Sequence, residues 1–147
     1  MQMTATIPSP YFVIEVAKYI SWTSANVMSD GKTSNSFAAQ QITGTPQVKM
    51  YDGTSLTASI SPTLNTYNII SAGQDGSGNA TIQLNAGTAA TGTLNHTALA
   101  GWTEGANGAA TKFGNKQLKE RIILSAIPSA TKLANILALL KAIYGTP

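Results

Sequence analysis

A mainly β protein of the α+β kind is the class this sequence predicts: an antiparallel β body with a short N-terminal helix or strand and a C-terminal amphipathic helix. Three observations carry that expectation. Apolar and polar residues alternate through the middle of the chain, Gly-containing turn pairs punctuate the alternation, and one helical stripe of Leu and Ile closes the sequence. At 147 residues the chain fits one ordinary domain. It divides by composition into residues 1–41, a helix or strand followed by an extended arm, and residues 42–147, a β-rich body ending in a helix over 129–145.

In the first segment, Ser9-Pro10 reads as a helix start, with Ser9 as N-cap and Pro10 at the first helical position, where its missing N–H costs nothing. Phe12, Val13, Val16, Ala17 and Ile20 then fall on one helical stripe. The run Tyr11 to Ile20 also suits a pleated surface, so a strand competes; the helix is the preferred expectation. From Ser21 to Gln41 the chain is small and polar, an arm anchored by Trp22, Val27, Met28 and Phe37 and ordered by a neighbour.

The body opens with the clearest local signal. Val48, Met50, Leu56, Ala58 and Ile60 alternate with polar residues on either side of Asp52-Gly53, a favoured two-residue hairpin pair. Thr66 to Ser71 predicts a further strand, Gly73 to Gly78 a turn, and Ala80, Ile82 and Leu84 the strand that returns. Between Gly87 and Ala110 only Leu94, Leu99 and Trp102 interrupt Gly, Ala, Thr and Asn, which predicts a long loop or flap. Gln117 to Ile127 predicts a buried strand ended by Pro128. Ser129 can cap a helix in which Leu133, Ile136, Leu137, Leu140, Ile143 and Tyr144 form one apolar face. Lys141 suits the last turn and Gly145 the position after it.

Composition narrows the function. With 43% hydrophobic residues the chain can fill a core, yet only 10% of residues are charged, against about 25% in an ordinary soluble domain. A neutral polar surface gives up little ionic hydration when a neighbour covers it, which favours assembly. Cysteine is absent, which excludes disulfides and thiolate metal sites. No basic, apolar leader or membrane span is visible. The sequons Asn79-Ala80-Thr81 and Asn95-His96-Thr97 read as chance matches in an Asn/Thr-rich chain.

Catalysis is approached by elimination. The one histidine, His96, has no companion motif, and Glu15, Asp30, Asp52, Asp75, Glu104 and Glu120 are scattered. Asp30-Gly31-Lys32-Thr33 ends like a phosphate-binding loop, but Asn26 stands where that loop needs glycine. Asp75 to Asn79 opens like a calcium loop, but Ala80 and Ala86 replace its glycine and its bidentate acid. A non-enzyme with no cofactor and no metal is the expectation.

Charge is unevenly spread: from Lys112 onward six cations face the single acid Glu120, a net +5, while the preceding residues sum to −2. Lys112, Lys116, Lys119 and Arg121 are therefore candidate contacts for phosphate or an acidic partner. With Phe113 the lone aromatic among them, such a patch would grip a backbone without reading sequence. Trp22, Trp102 and the helix residues Leu133, Ile136, Leu137, Leu140, Ile143 and Tyr144 are candidate subunit contacts. The tryptophans and exposed tyrosines would instead stack on sugars if the chain were a carbohydrate- or surface-binding module.

The polar segment Ser21 to Gln41, the Asp52-Gly53 hairpin and the stretch Gly87 to Ala110 together resemble the decoration or cement proteins of tailed bacteriophage heads. That resemblance implies a capsid-stabilising homo-oligomer, commonly a trimer, whose partner is the major capsid protein. The carboxyl end, Arg121 to Ser129 followed by Leu133 to Tyr144, is similar to the end of single-stranded RNA phage coat proteins, which implies interlocked dimers with a sheet facing RNA. Both resemblances imply a location in the virion after synthesis in the host cytoplasm, with no membrane partner.

Overall fold

The computed structural model describes residues 1–23, 26–32, 39–41, 46–52, 54–95 and 98–147. The strands are β1 (Gln2–Met3), β2 (Tyr11–Tyr19), β3 (Val27–Asp30), β4 (Ala39–Gln41), β5 (Val48–Asp52), β6 (Thr54–Thr57), β7 (Tyr67–Gln74), β8 (Asn79–Leu84), β9 (Ala90–Thr93), β10 (Trp102–Glu104) and β11 (Lys116–Leu124). One helix, α1 (Ala130–Tyr144), follows. The strands form two antiparallel sheets, ordered β1-β10-β3-β4-β5-β6 and β11-β2-β7-β8-β9. Strands from the first 41 residues thus interleave in both sheets with strands from later in the chain.

Two cores result. Between the sheets lie Tyr11, Val13 and Tyr19 of β2 with Ile70, Ile82, Leu84, Met28, Met50, Leu99 and Trp102. On the outer side of the five-stranded sheet, Phe12, Ile14, Val16 and Ile69 are covered by α1. Successive residues of β2 therefore enter opposite cores.

That double burial corrects the expected N-terminal helix. A strand covered on both faces needs apolar residues on both, so its run reads as continuous and its residues fall on a helical stripe by coincidence. Pro10 follows a cis peptide bond and precedes β2; it does not open a helix. Val27–Asp30, expected within an arm, is a strand buried at all four positions. Phe37 lies outside the described residues.

The hairpin pairs Met50 with Leu56 and Asp52 with Thr54, while Gly53 lies outside the described residues. β8 buries Ala80, Ile82 and Leu84 as the alternation predicts. The Gly87–Ala110 stretch is not one long loop. It contributes β9 and β10, pinned by buried Leu94, Leu99 and Trp102. Glycine matters most at Gly73, where a Cβ would run into the Tyr11 carbonyl and the backbone of Phe12 across the β2–β7 pairing.

The C-terminal strand differs from expectation by being an edge. β11 pairs with β2 alone among the described residues, and its Leu118 and Ile123 stay exposed. The helix matches its sequence signals: Ser129 Oγ accepts from the Lys132 N–H, Gly145 adopts φ 62°, and its N–H donates to the Lys141 carbonyl. Leu133, Ile136, Leu137, Leu140 and Tyr144 pack on the sheet. Ile143, expected on the same face, is instead 60% exposed, as is Leu139. Among the described residues no helix is long and apolar enough to cross a membrane.

Candidate functional site

Two charged residues five positions apart point to opposite faces of a regular strand. Lys116 and Arg121 nonetheless point the same way. β11 carries a bulge between Leu118 and Glu120 that leaves Lys119 without a partner on β2, and this extra residue reverses the parity of everything before it. Both cations then enter the space between the sheets.

There they meet two acids. Glu15 lies opposite Arg121 on β2, and Glu104 arrives from β10 of the other sheet. Lys116 Nζ sits 2.6 Å from Glu15 Oε1 and 2.6 Å from Glu104 Oε1. Arg121 bridges the same two carboxylates through its two terminal nitrogens. Ser29 of β3 donates to Glu15 and accepts from Lys116. Trp102 donates its indole N–H to Glu104, and the Arg121 guanidinium lies 4.6 Å from the Trp102 ring. Two positive and two negative side chains form a closed, neutral tetrad that ties the sheets together.

Burial opposes charge here, and the partners overcome it. Burial alone would raise the Glu104 pKa, but Lys116 and Arg121 hold it below the ordinary carboxylate value. Burial likewise disfavours the Arg121 cation, and Glu15 and Glu104 more than restore it. Tyr19 packs beside the tetrad, and its phenol is pushed well up by burial and by both acids. Its hydroxyl has no hydrogen-bond partner among the described residues.

A depressed carboxylate adds stability that is present above its unfolded pKa and is lost as pH falls through its folded pKa. The urea midpoint is therefore expected to be level above about pH 5 and to fall steadily below about pH 4. Unfolding curves at a series of pH values check this, and a Glu104→Gln chain should lose much of the acid slope.

The structure separates the four cations that the sequence grouped. Lys116 and Arg121 are spent inside the fold. Lys119 and Lys18 lie 5.5 and 5.4 Å from the ring of Tyr67 on the outer face, and Lys112 is exposed in a turn organised by Asn107. Trp102 is buried, and Trp22 packs against the inter-sheet core with its ring edge-on to Tyr19. Trp102 therefore presents no free face for stacking on a sugar.

The motif near-misses resolve into local structure. Asp30 is buried, with its carboxylate accepting from the N–H groups of Gly31 and Gly108, while Thr33 lies outside the described residues. Asp75 folds its own turn, accepting from the Asn79 side chain and from the backbone of Ser77 and Asn79. These bonds lower its pKa. His96 lies outside the described residues. Among those described, no group of three His, Asp or Glu is placed to hold a metal.

Two surfaces remain. One is apolar, Leu139 and Ile143 on α1; Leu118 and Ile123 of β11 are also exposed, but on the other face of their sheet. The other is a groove of about 460 Å³ beside the free edge of the five-stranded sheet, lined by Asn79, Thr81, Thr91 and Thr93 together with Ala80, Gly92 and Ile127.

No protein-family model matches the chain, and no curated protein matches it in sequence. Solved structures do match its fold. The native heptameric SAP-like pentraxin from Limulus polyphemus aligns with a TM-score of 0.67 at 11% identity, over 92% of this chain and 74% of the pentraxin. The binding domain of botulinum neurotoxin DC in complex with SialylT aligns at 0.65 and 13% identity, and that of serotype G at 0.64 and 14%. These alignments take in 90% and 97% of this chain, which spans only 36% and 40% of the two toxin chains. At such identities the likeness establishes a shared β-sandwich and nothing of function.

Proposed function

We propose that this chain is a non-enzymatic structural module that self-associates, and that its setting is a virus particle, where it would stabilise the capsid as a head decoration protein. The exposed apolar side chains of α1, Leu139 and Ile143, carry this reading. Large aliphatic side chains standing in water on a chain with 10% charged residues are stabilised by being covered. The tetrad supports it in a second way, since side chains that could otherwise do acid–base work neutralise one another between the sheets. The pentraxin of similar fold is heptameric, so a sandwich of this kind is compatible with assembly from copies.

Sedimentation of the purified chain with an absorbance ratio for bound nucleic acid tests the proposal. An oligomer free of nucleic acid that binds capsid shells is the expected result, and a monomer at every concentration overturns it. Shells that package RNA would favour the coat-protein alternative, although of the four grouped cations Lys112 and Lys119 alone are then left to hold phosphate.

A second reading, a carbohydrate-binding module, is favoured by the Asn/Thr groove, whose hydroxyl and amide groups suit sugar hydroxyls and whose size falls in the range of ligand sites. One toxin domain of similar fold is in complex with SialylT. Titration calorimetry against a glycan panel that includes SialylT decides it. Binding abolished by Thr81→Arg would support this reading, and heat-silent titrations throughout would remove it.

A further inference from the structure

A third surface lies where the chain after β10 loops back beside β1. Trp102 and Glu104 turn into the space between the sheets, so Thr103 between them faces outward, as does Gln2, its partner on β1. Thr103 Oγ1 donates to the Gly31 carbonyl and accepts from Gln2 Nε2 at 3.0 Å. Gln2 Nε2 also donates to the Gly108 carbonyl at 3.4 Å. The amide is thus held by its nitrogen, and among the described residues nothing donates to its Oε1.

Residues 105–114 close over this patch as a tight hairpin. The Gly114 N–H donates to the Gly105 carbonyl and the Asn107 N–H to the Lys112 carbonyl. Asn107 Oδ1 accepts from the N–H groups of Thr111 and Lys112, and buried Asp30 accepts from the Gly108 N–H. Gly114 has no room for a side chain, since a Cβ there would run into Met28 and the Val27 carbonyl. The interior is therefore closed at Gly114, and Phe113, one residue earlier, projects the other way. Its ring is 60% exposed, and among the described residues it is the one exposed aromatic.

A groove of about 330 Å³ adjoins the ring, lined by Phe113, Gln2 and Thr103 with Gly105, Ala106 and Gly108. That volume falls in the range of small-molecule sites. Glycine and alanine leave the main chain bare along the groove. No lysine or arginine lines it, and its one acid, Glu104, is tied to Lys116 and Arg121. An anion would find no cationic side chain here. A wholly apolar ligand would cover the Gln2 amide and bare main chain without replacing their hydrogen bonds with water. The chemistry that fits is an uncharged molecule with one apolar face for the ring and hydroxyls around its rim.

We propose that this groove binds a neutral sugar, which lays a C–H face on Phe113 and donates a hydroxyl to Gln2 Oε1. The site is on the other sheet from the Asn/Thr groove of the carbohydrate reading, and the test separates the two. Saturation-transfer NMR is run with the methyl glycosides of glucose, galactose, mannose and N-acetylglucosamine, beside methyl glucuronide and sialic acid. At least one neutral glycoside should show transfer to its ring protons, and the two acids none. Phe113→Ala, at an exposed position that leaves the circular dichroism unchanged, should weaken binding about tenfold. Phe113→Trp should retain it, Gln2→Leu should weaken it, and Thr81→Arg should leave it unchanged. Transfer to none of the neutral glycosides overturns the site, as does equal binding by Phe113→Ala. Binding lost in Thr81→Arg and kept in Phe113→Ala overturns it while leaving the Asn/Thr groove as the sugar site.

Discussion

Replacing Glu15 with alanine is expected to destabilise the fold by about 3–5 kcal/mol, because it strands two buried cations on a single carboxylate. Glu15 touches Lys116, Arg121 and Ser29 at once, and its side chain is 5% exposed, so water cannot take its place. Whole-domain stability is commonly only about 5–15 kcal/mol, and the loss should appear as a large drop in the urea midpoint. A triple replacement, Glu15→Leu with Lys116→Met and Arg121→Met, should recover a good part of it, since removing the charges together leaves fewer of them unpaired. If Glu15→Ala unfolds at the wild-type midpoint, the tetrad does not tie the sheets together.

Leu140→Ala is expected to cost about 2–5 kcal/mol. Leu140 is the most deeply buried residue of α1, at 5% exposure, and it closes the outer core over Phe12, Ile14, Val16 and Ile69. Truncating it loosens the element that carries exposed Leu139 and Ile143. Self-association should therefore fall together with stability, although Leu140 itself is buried against the sheet. Amide exchange along residues 130–144 checks the first effect and sedimentation the second. Protection unchanged from wild type would show that the helix is held by something other than this core.

What could be read from the sequence follows from how local each signal is. The helix was legible because its cap, its stripe and its terminal glycine lie within seventeen residues, and the hairpin because Met50 and Leu56 alternate around one turn. β2 was misread because it is buried on both faces, which erases the alternation that marks a half-exposed strand. Inside that run one clue was present. Glu15 is an acid among Tyr11, Phe12, Val13, Ile14 and Val16, and an acid in a fully buried run requires partners.

Which partners those would be was not legible. Residues 15, 29, 104, 116 and 121 converge only once two sheets stack, and Lys116 joins Arg121 only through a bulge that no local pattern announces. The basic cluster predicted at Lys112, Lys116, Lys119 and Arg121 treated sequence neighbours as surface neighbours, and the fold splits them between interior and exterior. The mismatch at Ile143 has a simpler cause. A helix lying on a sheet touches it along one line of its surface, so the rest of a broad apolar face stays in solvent.

The mass of the chain in solution over a wide range of concentrations tests the central claim most directly. Reversible association to twice the 15.2 kDa of one chain or more, weakened by Leu139→Asp, is the result this account predicts. A single 15.2 kDa species at all concentrations, with the helix stripe freely solvated, would contradict it.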